Sequence, residues 1–266
     1  MDDVPGVIGA RTSCNSQGDG VVNDGSIRLA TWNCNAGRSP EGVAFQFNLG
    51  ALEQKLAMLD VFLVQEVPLI GGKLEGTLEA MLDRCGLVCR AWHQLDAAYN
   101  REVGVGAGLL VAARSHLREV KIHPFVNPRL HATVNGDHWE SDEKGALTAM
   151  VSTRGLDIHV ACVHLLPFHS FGYDPATDPA TFQWSELESV VGALNSAARI
   201  VIVGGDFNRS ERTLAGLQGL VSSQTRDSGA SHDNIFVGPN LALATIEIVA
   251  SPSDHHLVEG ALTFLN

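Results

Sequence analysis

Ile200-Val201-Ile202-Val203-Gly204-Gly205-Asp206-Phe207-Asn208 is a short β-branched run that breaks into two glycines and then into an acid and an amide. An apolar run of this length, bounded by turn residues, reads as a buried strand. Eight further runs have the same form, at residues 27–31, 61–64, 107–112, 147–151, 158–163, 235–237, 243–249 and 258–264. Helical patterns alternate with them. In residues 48–59, Leu49, Leu52, Leu56 and Leu59 share one face. In residues 179–195, Asp178 suits the N-cap, Pro179 the first helical position, and Phe182, Leu187, Val190, Val191 and Leu194 a core stripe. Nine strands are too many for one flat sheet to cover comfortably, so a mixed α/β domain is expected.

The 266 residues, 45% hydrophobic and 18% charged, hold enough apolar material for one sizeable core, which excludes a disordered or fibrous chain. Residues 1–26 are polar and glycine-containing and read as a mobile arm ahead of a single domain over residues 27–266. No run approaches the ~18 apolar residues of a membrane span, and no charged-then-apolar leader is seen. A balance of 18 basic against 30 acidic residues gives a formal charge of −12, which argues against wholesale electrostatic capture of nucleic acid. Cysteines 14, 34, 85, 89 and 162 follow no framework spacing, so free thiols in a reducing, cytoplasmic setting are expected.

The strands repeatedly emit polar residues at their downstream ends. Residues 27–31 run into Trp32-Asn33, residues 61–64 into Gln65-Glu66, residues 158–163 into His164, and residues 200–203 into Asp206 and Asn208. Asp233 and the cluster Ser253-Asp254-His255-His256 lie just before two other strands. Groups placed in this way gather around one mouth, where α/β sheets bind ligands. Glu66, Asp254 and the Asn33 amide are hard oxygen donors suited to Mg²⁺ or Mn²⁺. His164 and His255 can supply protons or hydrogen bonds near neutral pH. Asp206 can orient or deprotonate a water, and Asn208 can hold it or donate to a phosphate oxygen. A metal, a water-activating carboxylate and two imidazoles point to phosphate-ester hydrolysis.

Thr31-Trp32-Asn33, Val64-Gln65-Glu66, Val163-His164-Leu165, Gly205-Asp206-Phe207-Asn208, Asp233-Asn234-Ile235-Phe236-Val237 and Ser253-Asp254-His255 stand in the order found in a known group of enzymes. From Ile27 to its end the chain resembles the endonuclease/exonuclease/phosphatase superfamily, and within it the pancreatic-type deoxyribonucleases. Local stretches around Leu29–Asn33 and Gly205–Arg209 also resemble the nuclease subunit of the cytolethal distending toxins. The resemblance implies an α/β fold, a four-layer sandwich of two face-to-face mixed β-sheets flanked by α-helices. It implies Glu66 as main metal ligand with Asn33 and Asp254 nearby, Asp206 aligning the attacking water, and Asn208 contacting the phosphate. It further implies His255 as the catalytic histidine, Asp233 fixing its tautomer, and His164 donating a hydrogen bond to the phosphate. The chain departs from the pattern at Leu257, where proline is usual, at Asn234, and at His256, which adds an imidazole beside His255. A glutamate supports the middle-strand histidine in the deoxyribonucleases, and Glu102 is the nearest candidate in sequence.

Each motif also has a plain structural reading. Gly-Gly-Asp-Phe-Asn alone is a strand exit with an Asx turn, and Glu66 alone is a surface acid. Their joint order favours catalysis. Downstream of His164, Phe168, Phe171 and Tyr173 are expected to shape a substrate pocket on an irregular loop, or else to form a flap on Trp184. Cys85 and Cys89 lack the second pair of a metal knuckle. Gly104–Gly108 precedes a strand rather than a helix, which argues against a dinucleotide site. The expectation is a divalent-metal-dependent phosphoesterase cleaving DNA or RNA phosphodiesters. The alternatives are an enzyme of small or lipid phosphate esters, and a scaffold turned to binding or to Lewis-acid chemistry on another substrate.

Overall fold

The computed structural model describes residues 8–11, 26–100, 104–134, 136–174, 176–198, 200–211, 213–221, 225–226 and 232–265. In chain order the elements are β1 (Ile8–Arg11), β2 (Ser26–Asn33), α1 (Ala51–Leu56), β3 (Val61–Ile70), β4 (Lys73–Leu74), α2 (Gly76–Arg84), β5 (Cys89–Asn100), β6 (Val105–Ala113) and β7 (Leu117–Pro124). They continue with β8 (His131–Val134), β9 (Asp137–Glu140), β10 (Gly145–Thr153), β11 (Leu156–His164), α3 (Ala180–Ala197), β12 (Val201–Asp206), β13 (Thr213–Leu214), β14 (Leu217–Gly219), β15 (Asp233–Val237), β16 (Leu241–Val249) and β17 (Leu257–Phe264).

One sheet runs β1-β5-β6-β3-β2-β17-β16 with β4 on β3, and the other β13-β14-β15-β12-β11-β10-β7. Both are mixed: β2 lies parallel to β3, and β11 to β12, among antiparallel neighbours. A strand covered on both faces needs apolar side chains on successive residues, which is why these runs are unbroken. Ile27, Leu29, Val61 and Leu63 meet Val160, Cys162, Ile202 and Ile235 in the core between the sheets. One residue out of phase, Trp32, Phe62 and Val64 pack beneath Leu52 and Leu56 of α1 and Leu78 and Leu82 of α2. On the far side, Val163, Val201 and Val203 meet Trp184, Leu187 and Val191 of α3. The result is the expected four-layer arrangement, with helices outside two facing sheets.

Several details differ from the sequence reading. Ile8–Arg11, in the stretch read as a mobile arm, pairs antiparallel with β5; much of the rest of that stretch lies outside the described residues. β5 and β7 escaped notice because charged residues interrupt the first and β7 shows much of its length to solvent. The helix expected at 48–59 is shorter, and α2, with the Glu75 side chain accepting from Thr77 and Leu78 N–H, was not expected. At α3, Pro179 rather than Asp178 holds the N-cap position. Phe182 is 53% exposed, because the buried stripe runs through Ala180, Trp184, Leu187 and Val191. Cys34, Cys85 and Cys162 are free and buried, whereas Cys89 is in a disulfide. The expectation of free thiols therefore holds for these three and fails for Cys89, and that disulfide removes the cysteine argument for a reducing, cytoplasmic setting. No helix among the described residues is long and apolar enough to cross a membrane.

The Gly204-Gly205 pair brings β12 close to its neighbours. A Cβ at Gly204 would meet Leu63 Cδ1 of the facing sheet at 2.8 Å, and one at Gly205 would lie 2.0 Å from the Val163 carbonyl oxygen. Backbone cannot rotate away, so Gly205→Ala should cost ~3 kcal/mol, the upper part of the range for overpacking. Gly192→Ala, in α3 where the added carbon meets nothing within 4 Å, should instead stabilise by up to ~1 kcal/mol. Urea unfolding of the two variants checks this; equal midpoints would contradict it.

Candidate active site

Strand register assembles the site. His164 pairs with Asp206 across β11 and β12, and Asp206 pairs with Asp233 across β12 and β15, so three functional residues stand in a row at one sheet end. The other sheet supplies Asn33 from the end of β2 and Glu66 from β3. Glu66 sits where the β3–β6 register slips between Gln65 and Val67, with φ at 51°. A bulge of this kind re-aims one side chain, and a glutamate at positive φ is held there against its backbone preference. His255 comes from the turn before β17. Its backbone is fixed by Trp32 Nε1 donating to the His255 carbonyl at 3.2 Å, and by the His255 N–H donating to Ser253 Oγ at 3.2 Å.

Asn33 ties the two sheets together. Its Nδ2 donates to Asp206 Oδ2 at 3.1 Å and to Glu66 Oε1 at 3.3 Å. His164 Nε2 lies 3.6 Å from both of those carboxylate oxygens, and His255 Nε2 lies 3.7 Å from Asp206 Oδ2. Nδ1 of His255 contacts both Asp233 oxygens, at 2.9 and 3.1 Å. His255, not His256, is therefore the imidazole that faces Asp206. Asp206 Oδ1 accepts the Asn208 N–H at 2.9 Å.

These contacts set the charges. Burial would pull His255 down, but the Asp233 and Asp206 carboxylates outweigh it and raise the imidazole to about 9. Burial drives His164 the other way, to about 4, with the Lys144 ammonium adding to it. Burial would raise Asp206, yet the imidazoles of His255 and His164 overcome it and hold the carboxyl well below its usual range. Burial raises Asp233, opposed by His255. Near neutral pH the site thus holds one charged and one neutral imidazole on either side of an ionised acid.

Other expected residues sit differently. Asp254 is engaged by Arg226, and Ser253 Oγ lies 3.3 Å from its Oδ1, so a cation would have to compete for it. Asn208 donates one of its two amide hydrogens to the Leu165 carbonyl at 2.8 Å. Phe168 is 5% exposed and packs with Leu130, Leu166 and Ala180, with Phe171 against them. Phe168 is thus largely buried, and of the three aromatics Tyr173 is exposed. Glu102 lies outside the described residues. Sequence reading missed Lys144, whose Nζ is 3.4 Å from His164 Nδ1, and Thr225, whose Oγ1 accepts the N–H groups of His232 and Asp233 at 3.2 Å each. It also missed Arg226. None of the three belongs to a periodic pattern; a lone lysine ahead of the run at 147–151 was the sole trace of Lys144.

The donor set fits a hard divalent cation. Two carboxylates, Glu66 and Asp206, share the single Asn33 amide, and the imidazole beside them is uncharged. Asp206, Asp233 and His255 also each offer a donor atom within 4.8 Å of one another.

A model of the Endonuclease/Exonuclease/phosphatase family matches residues 30–255. Among solved structures, an endonuclease/exonuclease/phosphatase from Beutenbergia cavernae aligns with a TM-score of 0.70 at 17% identity, over 90% of this chain and 72% of that one. The human Nocturnin catalytic domain with bound sulfate aligns at 0.57 with 15% identity, over 98% of each chain. A 3'-5' exonuclease from Neisseria meningitidis aligns at 0.56 with 17% identity, over 90% and 100%. Identities this low speak for the fold alone. A search of curated proteins finds no match. The family match spans strands of both sheets and residues from Asn33 to His255, so the chain belongs to the endonuclease/exonuclease/phosphatase family, whose members are phosphoester hydrolases.

Proposed function

We propose that the protein is a divalent-metal-dependent phosphodiesterase acting on DNA or RNA. The observation that carries this reading is Asp206 Oδ2 lying 3.6 Å from His164 Nε2 and 3.7 Å from His255 Nε2. Glu66 and Asn33, with Asp206 alongside, would hold Mg²⁺ or Mn²⁺, which when bound neutralises charge on the phosphoryl oxygens and leaving group. Asp206, held ionised, accepts a hydrogen bond from the attacking water and fixes its line of approach. An anionic phosphate arriving beside it raises its basicity, so that it takes the water's proton as the new P–O bond forms and the ester P–O bond in line with it breaks, the departing oxygen taking its proton from solvent. His255, kept protonated by Asp233, donates from Nε2 to a phosphoryl oxygen as negative charge builds there. His164 donates to the same phosphate from the opposite side.

A nucleic-acid substrate accords with the 3'-5' exonuclease among the structural relatives. A second reading, a small or lipid phosphate ester, is favoured by the acidic wall of Asp96, Asp142 and Glu143 beside Glu66 and His164, which would repel a long polyanion. Plasmid nicking and RNA cleavage run beside a panel of small phosphate esters, with Mg²⁺, Mn²⁺ and EDTA arms, separate the two. The nuclease reading expects metal-dependent cleavage of nucleic acid; turnover of small esters alone supports the second reading. Hydrolysis undiminished by EDTA would contradict metal dependence.

Asp206→Ala and His255→Ala should each lower turnover by about 10²–10⁴-fold, the range for losing a general acid or base; full turnover in either would remove the mechanism. Glu66→Gln should weaken Mn²⁺ binding by at least about 10-fold by calorimetry. The charge-conserving pair Arg226→Met with Asp254→Asn should leave that binding within about 3-fold, a change of less than about 1 kcal/mol. A loss matching that of Glu66→Gln would return Asp254 to the ligand set.

The raised His255 pKa also predicts a pH dependence of stability. Its stabilisation should be complete below the unfolded value near 6.5 and be lost as pH rises through about 9. In urea titrations of metal-free protein, Asp233→Asn should flatten this alkaline decline. An unchanged slope would show that Asp233 does not hold the proton on His255.

A further inference from the structure

Lys144 has no part in the reaction as described, yet it sits against a catalytic imidazole. The residue is 6% exposed, and its ammonium lies 3.4 Å from Nδ1 of His164. Register explains the approach: Gly145, the first residue of β10, pairs with His164 at the end of β11, so the residue before it is carried alongside the ring. An ammonium has three donors and no acceptor. Nδ1 of His164 can therefore only accept, and the ring's proton must sit on Nε2. That nitrogen is the one 3.6 Å from Asp206 Oδ2 and from Glu66 Oε1. The other tautomer would set an N–H against the ammonium and a bare lone pair against two carboxylates, unfavourable at both edges of the ring.

His255 offers the contrast. Its Nδ1 faces the Asp233 carboxylate, an acceptor that calls for a proton on Nδ1. The two imidazoles beside Asp206 are thus braced from behind by partners of opposite charge. A carboxylate calls for a proton on Nδ1 of one, and an ammonium excludes a proton from Nδ1 of the other.

We propose that Lys144 is a positioning residue: by occupying Nδ1 of His164 it fixes the proton on Nε2 and aims that N–H at the phosphoryl oxygen beside Asp206. Lys144 meets the opposite edge of the ring from the reacting atoms and acts through His164. Its effect on turnover rests on the phosphoesterase reading, whereas the tautomer does not.

Nitrogen-15 NMR of the histidine side chains in the metal-free full chain at neutral pH tests this, with His164 assigned by its loss in His164→Gln. The wild type should show an unprotonated Nδ1 and a protonated Nε2. Lys144→Met should let a proton onto Nδ1, which then no longer faces a donor, and Lys144→Arg should keep the wild-type pattern, since a guanidinium also only donates. In turnover, Lys144→Met should lower kcat about 10–100-fold, as for loss of an orienting partner, with KM changed by less than about 3-fold, and Lys144→Arg should recover most of it. A protonated Nδ1 in the wild type overturns the proposal even if no variant folds. So does Lys144→Met with Nδ1 still unprotonated or with kcat unchanged. A wild type with the expected tautomer but no turnover of any phosphate ester supports the Lys144 assignment and removes the phosphoesterase reading instead.

Discussion

The hydrogen bond from Asn33 Nδ2 to Asp206 Oδ2 joins the end of β2 in one sheet to the end of β12 in the other. Everything chemical in the molecule depends on those two ends staying in register. Each sheet alone holds half of the site: Asn33 and Glu66 in one, His164, Asp206 and Asp233 in the other. The core between the sheets sets their separation, and Gly204 permits it by leaving Leu63 and Thr31 room beside β12. Packing and catalysis are for this reason not separable here. A side chain added between the layers would move carboxylates relative to imidazoles, and errors near 1 Å matter when the working distances are 3–4 Å.

Burial gives the site its electrical character. Asp206, Asp233, His164 and His255 are each no more than 3% exposed, and in such surroundings a neighbouring charge decides a protonation state that water would otherwise level. Two histidines near one carboxylate end in opposite states because Asp233 stands behind one, while burial, with Lys144 adding to it, lowers the other. Arg226 extends the pattern by engaging Asp254, an acid whose sequence context suggested a metal ligand. Cationic side chains thus take over work at the margins of a site whose centre is acidic.

The strands were legible because β2, β3, β6, β11 and β12 are covered on both faces, which forces apolar residues on consecutive positions. β7 shows its side chains largely to solvent and carries no such demand, and β5 has Arg90, His93 and Asp96 within it. Most of the site was legible for a related reason. Asn33, Glu66, His164 and Asp206 are polar residues that interrupt or end a buried run, and that change of texture is visible in one dimension. Lys144, Thr225 and Arg226 act through register and loop placement, which leave no local trace. Phe182 shows the converse limit: an aromatic on a helical stripe declares neither its direction nor its exposure.

The central claim is that segments more than two hundred positions apart meet around one cation. Anomalous diffraction from crystals soaked in Mn²⁺ addresses it most directly. The account predicts an ion bonded to the Glu66 carboxylate at ~2.0–2.6 Å, the range for hard cations on oxygen, with His255 still paired to Asp233 across the same cleft. Mn²⁺ bound elsewhere, or Glu66 and His255 facing separate regions of the surface, would contradict it.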